Sequence, residues 1–155
     1  MKSKSEIVNV QAIPYAANFS WSTGFIMEKF IKELANKKIL AAKCPKCGYT
    51  YVPPRSRCGK CNAKMEEKNL INLSGKGTLV SYTKAYVKLD GAGNFQDLKK
   101  PMIIGAVKLD NADSTIFIPL EGIKPSELNV GLKVKVQWRD ETKGEISDIL
   151  CFRPA

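Results

Sequence analysis

The sequence predicts a mainly β chain in three parts: an N-terminal helix, a small cysteine-rich ribbon and a small closed barrel. Three observations support this division. An amphipathic run comes first, two C-x2-C pairs separated by ten residues follow it, and five β-type runs bounded by turn residues come last. We place the parts at residues 1–38, 39–69 and 70–155. A chain of 155 residues has room for one ordinary domain and a small module.

The first part contains the predicted helix. Ser22 or Thr23 can cap its start, and apolar residues then recur at helical spacing at Ile26, Phe30 and Leu34. One interpretation is that this stripe packs on the chain's own domain. We expect instead that it docks on a second protein, because the ribbon that follows is too small to bury it and an uncovered stripe would be a liability.

The second part is organised by four cysteines, Cys44, Cys47, Cys58 and Cys61, in the spacing C-x2-C-x10-C-x2-C. Two residues between the cysteines of a pair let both sulfurs face one ion, and Gly48 allows the turn that directs backbone N–H groups at them. Two such pairs supply four thiolates for one tetrahedral Zn²⁺. Since sulfur fills every coordination position, this one zinc per chain is predicted to be structural, with no place for substrate or an activated water.

Two other interpretations of these cysteines are a redox dithiol and a pair of disulfides. A redox C-x-x-C motif usually occurs once, beside a strand–helix unit, and needs no second pair. Disulfides belong to oxidising compartments, and the polar residues 1–6 lead into no signal-peptide core. We therefore expect a cytoplasmic protein, and we expect no membrane span because the longest apolar run, residues 102–107, is far too short.

The segment between the two cysteine pairs carries candidate anion contacts. Pro53 and Pro54 have fixed φ angles and hold Arg55 and Arg57 on a rigid corner, with Lys60 behind them. These cations are either ordinary solvated charge or preset contacts for phosphate groups. The net charge of +10, from 25 basic and 15 acidic residues, favours anionic partners such as nucleic acid, a nucleotide-like cofactor or an acidic protein surface.

The third part is predicted to be all-β. Its strands are a long one ending near Leu89, then residues 101–110, 115–121, 133–139 and 146–152. Five strands with a long bent first strand favour a small closed barrel of the OB type, and a short sandwich is the alternative. Cys151, in the last strand, is most simply a half-buried free thiol.

The chain contains no histidine. This removes the commonest general base and the usual activator of a serine or cysteine nucleophile. The sequence also has neither a Walker-type phosphate loop nor a dinucleotide-binding fingerprint. We therefore expect the chain not to catalyse a reaction by itself.

The order of these motifs resembles a known family. It runs through Ile13-Pro14-Tyr15, a helix, Cys44-Pro45-Lys46-Cys47-Gly48, Pro53-Pro54-Arg55, Cys58-Gly59-Lys60-Cys61, Gly75-Lys76-Gly77, Ser81-Tyr82-Thr83 and Asn129-Val130-Gly131-Leu132-Lys133-Val134. The chain is similar to OB-fold proteins with a rubredoxin-like zinc ribbon, which accompany thiolases and related acyl-CoA enzymes. The similarity covers nearly all of the chain.

The resemblance implies a non-catalytic accessory subunit in a hetero-oligomer with a thiolase-fold protein. In that family the thiolase-fold chain carries the nucleophilic cysteine and the bases, and the small subunit binds it and helps form the coenzyme A site. The expected reaction, on the partner chain, is thiolytic cleavage of a β-ketoacyl-CoA. We expect Arg55, Arg57 and Lys60 to contact the phosphates of coenzyme A. Tyr15 and Trp21 are candidates for the apolar wall of that site or for the subunit contact, and plain packing explains them equally well.

The stretch Asn18-Phe19-Ser20-Trp21 is most similar to one subfamily. It resembles the accessory subunits of 2-benzoylsuccinyl-CoA thiolase from anaerobic toluene breakdown. This resemblance implies that the partner chain forms benzoyl-CoA and succinyl-CoA.

Two other functions compete with this interpretation. A single-stranded nucleic-acid binder would use Tyr82, Lys84, Tyr86 and Lys88 as a stacking face of one strand, although ordinary β-formers on a surface strand explain the same residues. A free-standing redox or thiol enzyme would need Cys151 or the C-x-x-C pairs to be reactive. We favour the thiolase partner over both.

Overall fold

The computed structural model describes residue 20 and residues 22–90, 93–124 and 126–155. In these residues the elements are α1 (Phe25–Leu34), β1 (Ile39–Lys43), β2 (Thr50–Tyr51), β3 (Leu70–Leu73), β4 (Lys76–Leu89), β5 (Phe95–Leu109), β6 (Ile116–Leu120), β7 (Lys133–Trp138) and β8 (Ile149–Pro154). Short 3₁₀ turns at Glu67–Asn69 and Ile146–Asp148 precede β3 and β8. None of the helices among the described residues has the length and hydropathy needed to cross a bilayer.

Helix α1 begins one or two residues later than a cap at Thr23 or Ser22 predicts. Its N-cap is Gly24, whose φ of 81° lies in the left-handed region that favours glycine. The Ser22 hydroxyl accepts a hydrogen bond from the Gly24 N–H at 3.2 Å, so it orders the approach to the helix and caps no N–H inside it. The helix has ten residues, fewer than the roughly four turns that the apolar spacing suggested.

The apolar stripe of α1 faces the chain's own core. Ile26, Phe30 and Leu34 are only 5%, 1% and 0% exposed. Phe30 and Leu34 belong to the same buried cluster as Leu79 and Phe152 of the barrel. The expectation that this stripe docks on a partner is therefore wrong: ribbon and barrel together supply the apolar surface that the ribbon alone lacks.

The ribbon carries a three-stranded antiparallel sheet in the order β2-β1-β3. Strand β3 pairs with β1 from Ile39↔Leu73 onward, so this sheet extends past residue 69, the predicted end of the ribbon. Hydrogen bonds to the barrel also hold β2 in place. The Thr50 N–H donates to the Asp113 carboxylate at 2.9 Å, and the Val52 N–H donates to the Ser114 hydroxyl at 2.7 Å.

The third part is a closed five-stranded barrel in the order β4-β5-β6-β8-β7, with β7 pairing back onto β4. All neighbours are antiparallel except β6 and β8, which run parallel where Leu120 pairs with Phe152. The predicted closed barrel of OB type is confirmed. Gly77 is required at one close approach, because a Cβ there would lie 2.5 Å from the Lys108 carbonyl oxygen and 2.9 Å from the Leu109 Cα.

Strand β5 begins at Phe95, earlier than the predicted start at Pro101. Proline has no N–H to donate and normally argues against a strand interior. A register shift accommodates Pro101 in β5. Because Ala85 pairs with Met102 and Val87 pairs with Asp97, Pro101 lies in the segment 98–101, which has no partner in the ladder. The sequence could not show this because a bulge is a property of the paired strands.

Candidate metal centre

The first cysteine pair forms a tight turn closed by backbone hydrogen bonds. The Cys44 N–H donates to the Tyr49 carbonyl at 2.9 Å, and the Gly48 N–H donates back to the Cys44 carbonyl at 3.0 Å. Gly48 has φ 74°, a conformation that glycine adopts without cost. The turn aims the Cys47 N–H at the Cys44 sulfur, 3.5 Å away.

The second pair repeats this geometry. The Cys58 N–H donates to the Ala63 carbonyl at 3.0 Å, and the Asn62 N–H donates to the Cys58 carbonyl at 2.9 Å. Asn62, with φ 57°, takes the position that Gly48 has in the first turn. Asparagine is one of the few other residues that tolerate this region. The Lys60 N–H points at the Cys58 sulfur from 3.4 Å.

The two turns bring four sulfurs together. The Sγ atoms of Cys44, Cys47, Cys58 and Cys61 all lie within 4.8 Å of one another. Two of the separations, Cys44–Cys61 and Cys47–Cys58, are 3.5 Å. Sulfurs at about 2.3 Å from a tetrahedral Zn²⁺ would be about 3.8 Å apart. The donor set and its dimensions therefore fit one zinc ion, and the four sulfurs would complete its coordination.

The electrostatics of the four thiols also favour a cation. The Tyr51 hydroxyl lowers the pKa of Cys58 to about 6, and the Cys47 N–H lowers the pKa of Cys44. The pKa of Cys47 instead rises to about 12: the Tyr49 N–H opposes the rise, but desolvation and the neighbouring sulfurs outweigh it. Neighbouring thiolates repel one another, so ionisation of one thiol raises the pKa of the others. A divalent ion at their centre would offset this repulsion.

Tyr51 is a functional residue that the sequence did not single out. Its side chain is 7% exposed. The Gly59 N–H donates to its oxygen at 3.0 Å, which leaves the hydroxyl proton free to be donated to the Cys58 sulfur, 3.5 Å away. Such partners of a metal ligand orient it and tune its charge. A tyrosine three residues past a knuckle glycine is a weak signal, because the same position also suits an ordinary strand.

Two of the predicted anion contacts lie on a pair of tyrosine rings. The Lys60 ammonium lies 4.4 Å from the centre of the Tyr49 ring, and the Arg55 guanidinium lies 4.9 Å from the centre of the Tyr51 ring. The two rings are themselves 4.6 Å apart. Cation–π contact reduces the freedom of long side chains, so Arg55 and Lys60 are exposed cations with restricted positions.

Arg57 has a different position. Its guanidinium donates to the Asn62 carbonyl at 3.2 Å, and its backbone forms an isolated bridge with Lys64. The side chain is exposed but is engaged in holding the second turn. The structure therefore links Arg55 with Lys60 through the tyrosines and gives Arg57 a separate contact.

Arg55 also borders a cleft between the start of α1 and the ribbon. This cleft has a volume of about 620 Å³. Phe25, Met27, Pro54 and Met65 give it an apolar lining beside the guanidinium of Arg55. An apolar wall next to a restrained cation suits a ligand with both an apolar and an anionic part.

The remaining predicted residues have mixed outcomes. Tyr15 and Trp21 lie outside the described residues. Cys151 is fully buried at 0% exposure, deeper than the half-buried thiol we expected, and desolvation raises its pKa. Tyr82, Lys84, Tyr86 and Lys88, the face predicted for a nucleic-acid binder, are all exposed on β4, and the register shift at Ala85/Val87 falls among them.

Two family models match the chain. The rubredoxin-like zinc ribbon domain of ChsH2 matches residues 32–66, and the C-terminal OB-fold domain of ChsH2 matches residues 71–139. Together these matches cover about two thirds of the chain. The chain belongs to the ChsH2-type family of zinc-ribbon and OB-fold proteins. The family resemblance inferred from the sequence is thus confirmed.

Solved structures agree with a ChsH2-type fold. A protein of unknown function from the DUF35 family of Sulfolobus solfataricus is 29% identical, with 85% of each chain covered and a TM-score of 0.60. The Ltp2–ChsH2(DUF35) aldolase is 20% identical, with 81% of this chain and 91% of that chain covered and a TM-score of 0.58. At that identity the second likeness shows the fold alone. No curated protein matches the chain.

Proposed function

We propose that this chain is a non-catalytic accessory subunit of an acyl-CoA-processing complex whose partner is a thiolase-fold enzyme. The observation that carries the proposal is the combination of a ChsH2-type ribbon and barrel with a closed four-sulfur site. A zinc ion held by four sulfurs has no open position for substrate, so it organises the ribbon and activates nothing. The name of the Ltp2–ChsH2(DUF35) aldolase, which joins ChsH2 with Ltp2 in an aldolase, supports the same arrangement.

Residues of this chain that could act as acid, base or nucleophile are poorly suited to those tasks. The chain has no histidine, and its one cysteine outside the ribbon, Cys151, is fully buried. Asp148 is also buried, and its carboxylate accepts hydrogen bonds from the N–H groups of residues 143–145. We therefore assign bond cleavage in a β-ketoacyl-CoA to the partner chain, with 2-benzoylsuccinyl-CoA as the specific substrate suggested by the N-terminal resemblance.

The contribution of this chain to ligand binding is assigned to its restrained cations. Coenzyme A carries a 3′-phosphate and a pyrophosphate, which suit guanidinium and ammonium groups. Arg55 and Lys60 rest on the tyrosine pair and face solvent, so they can contact these phosphates without first losing much side-chain freedom. Arg57 is a weaker candidate because its guanidinium already donates to Asn62.

Affinity isolation of the tagged chain from its native cells tests the proposal. The expected result is co-isolation of a thiolase-fold chain in a fixed ratio, with turnover of a β-ketoacyl-CoA by the isolated complex. Isolation of the chain as a free monomer without such an enzyme would contradict the proposal.

Substitution of Arg55 tests the assignment of the coenzyme A contact. In the complex, Arg55→Ala should raise the KM for coenzyme A about 10-fold or more and leave kcat nearly unchanged, because it removes a charge-assisted contact to a non-reacting part of the ligand. Lys135→Ala, which removes an exposed cation from β7, is the matched control and should leave the KM unchanged. Equal KM values for both variants would remove Arg55 from the site.

A further inference from the structure

The hairpin formed by β4 and β5 extends beyond the barrel. Closure of the barrel uses only Lys76–Thr78 of β4, which pair with β7, and Ile103–Val107 of β5, which pair with β6. Within the described ranges, residues 84–90 pair with no strand other than β5, and residues 93–102 pair with no strand other than β4. We call these residues the β4–β5 arm. A two-stranded hairpin of this kind buries little apolar surface and is only marginally stable in water unless it packs on another surface.

One face of the arm is mainly apolar and exposed. The pairs Val87↔Asp97 and Leu89↔Phe95 place Val87, Leu89 and Phe95 on the same side of the two strands, together with the charged Asp97 opposite Val87. These three side chains are 42%, 61% and 74% exposed, and the neighbouring Tyr86 is 61% exposed. Exposed apolar residues scattered singly are normal, but a cross-strand cluster on a projecting element marks an interaction site.

The charges around this apolar face are mainly positive. Within residues 84–90 and 93–102 there are four lysines and two aspartates. The carboxylate of Asp90 accepts hydrogen bonds from the Asn94 backbone and side chain at 2.8 and 3.0 Å, and so stabilises the turn. The lysines are all exposed: Lys84, Lys88, Lys99 and Lys100. The complementary surface would therefore have an apolar centre and an acidic border.

The geometry points to the β4–β5 arm as the element that docks this chain on its partner enzyme, in an apolar depression of that enzyme bordered by acidic side chains. This inference rests on the proposed function, because it takes the thiolase-fold chain as the occupant. It also gives the arm the docking role that the sequence had assigned to the stripe of α1, which the chain buries in its own core.

Two other occupants fit the arm less well. A twofold dimer of this chain through the arm would set each patch against its own copy, so the lysines of the two arms would repel each other. Single-stranded nucleic acid gains affinity from aromatic stacking and phosphate contacts. The rings of Tyr86 and Phe95 could stack on bases, but Val87 and Leu89, which are also exposed, would gain nothing from such a ligand. An acidic protein surface is the occupant that uses both the apolar face and the lysines.

The test compares two double variants in binding to the purified thiolase-fold chain. L89S/F95S removes the centre of the apolar face, and F117S/V130S removes two equally exposed apolar side chains from the barrel as the matched control. L89S/F95S should weaken binding at least ~100-fold, since it deletes two large apolar anchors. The control should stay within about 3-fold of wild type. Zinc content and far-UV circular dichroism of both variants should match wild type, which excludes misfolding as the cause.

The lysines give a second, independent measurement. K99E/K100E should lower the association rate constant about 10-fold at low ionic strength, and the difference should shrink as salt is added. A rate constant that does not respond to this charge reversal would contradict the acidic border of the partner surface.

The outcomes separate the inference from the proposed function. If wild type binds the thiolase-fold chain and L89S/F95S binds it equally well, the arm is not the docking element while the proposed function stands. If wild type binds no thiolase-fold chain, both fail. A wild-type dimer in sedimentation that L89S/F95S abolishes, or an oligonucleotide complex lost in the same variant, would overturn the inference in favour of a second copy or of nucleic acid.

Discussion

Replacement of Tyr51 by phenylalanine should weaken zinc binding without unfolding the ribbon. The substitution keeps the ring that packs on Tyr49 and Arg55 and removes only the hydroxyl. That hydroxyl is the largest cause of the low pKa of Cys58. Without it, the Cys58 thiolate loses a donor and the Gly59 N–H loses its acceptor.

The expected magnitude follows from competition between zinc and protons. With a pKa of about 6, the Cys58 thiol is about nine tenths ionised at pH 7, whereas an ordinary cysteine with a pKa of about 8.5 is about 3% ionised. Full loss of the shift would thus weaken apparent zinc affinity about 30-fold at pH 7. Because backbone N–H groups also lower the pKa of Cys58, we expect about 10-fold, within the usual range for partners of metal ligands.

The assay is competition for zinc between the protein and a chromophoric chelator under reducing conditions at pH 6, 7 and 9. The deficit of Y51F should be largest at pH 6 and smallest at pH 9, where ordinary thiols also ionise. Tyr49→Phe is the matched control, because the Tyr49 hydroxyl donates to the Asp113 carbonyl at 3.2 Å and contacts no sulfur. Equal affinity of Y51F and wild type, or an equal loss in Y49F, would refute the reasoning.

Three further predictions concern the core. Burial alone would raise the pKa of Asp148, but the N–H donors of residues 143–145 hold this pKa below its usual value. The ionised carboxylate therefore stabilises the fold above about pH 4. This stabilisation is lost as the pH falls through the pKa of Asp148 in the folded chain. Accordingly D148N should lower the melting temperature at pH 7 and flatten its decline in acid, and a parallel decline in both proteins would count against this role. Phe30→Ala should cost about 3–5 kcal/mol in denaturant unfolding, since Phe30 is 1% exposed; a cost below 1 kcal/mol would show that the helix does not rely on this contact. Cys151 should resist thiol reagents in the native zinc-loaded chain and react after unfolding, and fast native labelling would show that it is accessible.

The parts of the structure that depend on local spacing could be predicted from the sequence. The four metal-site cysteines follow from their intervals, because a C-x2-C turn can close in only a few ways. The closed barrel follows from five strands with turn residues between them. The second turn shows the limit of prediction from spacing. Gly48 indicates a left-handed residue in the first turn, but the equivalent left-handed residue of the second turn is Asn62, which does not indicate this conformation by its type alone.

The parts that depend on what covers a surface could not be predicted. An apolar stripe such as Ile26, Phe30 and Leu34 shows that a helix is covered but not by what, and the barrel supplies that cover. For the same reason the exposed face of the β4–β5 arm could not be predicted. Leu89 and Phe95 are residue types typical of buried strand positions, yet both are exposed. The contact of Tyr51 with the Cys58 sulfur arises from the fold of the ribbon, which no sequence interval specifies.

The most direct test of the account is the rate of β-ketoacyl-CoA thiolysis by three purified samples: this chain alone, the thiolase-fold partner alone, and the two together. The account predicts no turnover by this zinc-loaded chain, and turnover by the reconstituted pair that exceeds the rate of the partner alone. Turnover by this chain alone at the rate of the pair would contradict the account. The groups that cleave the β-ketoacyl-CoA would then lie on this chain and not on the thiolase-fold partner.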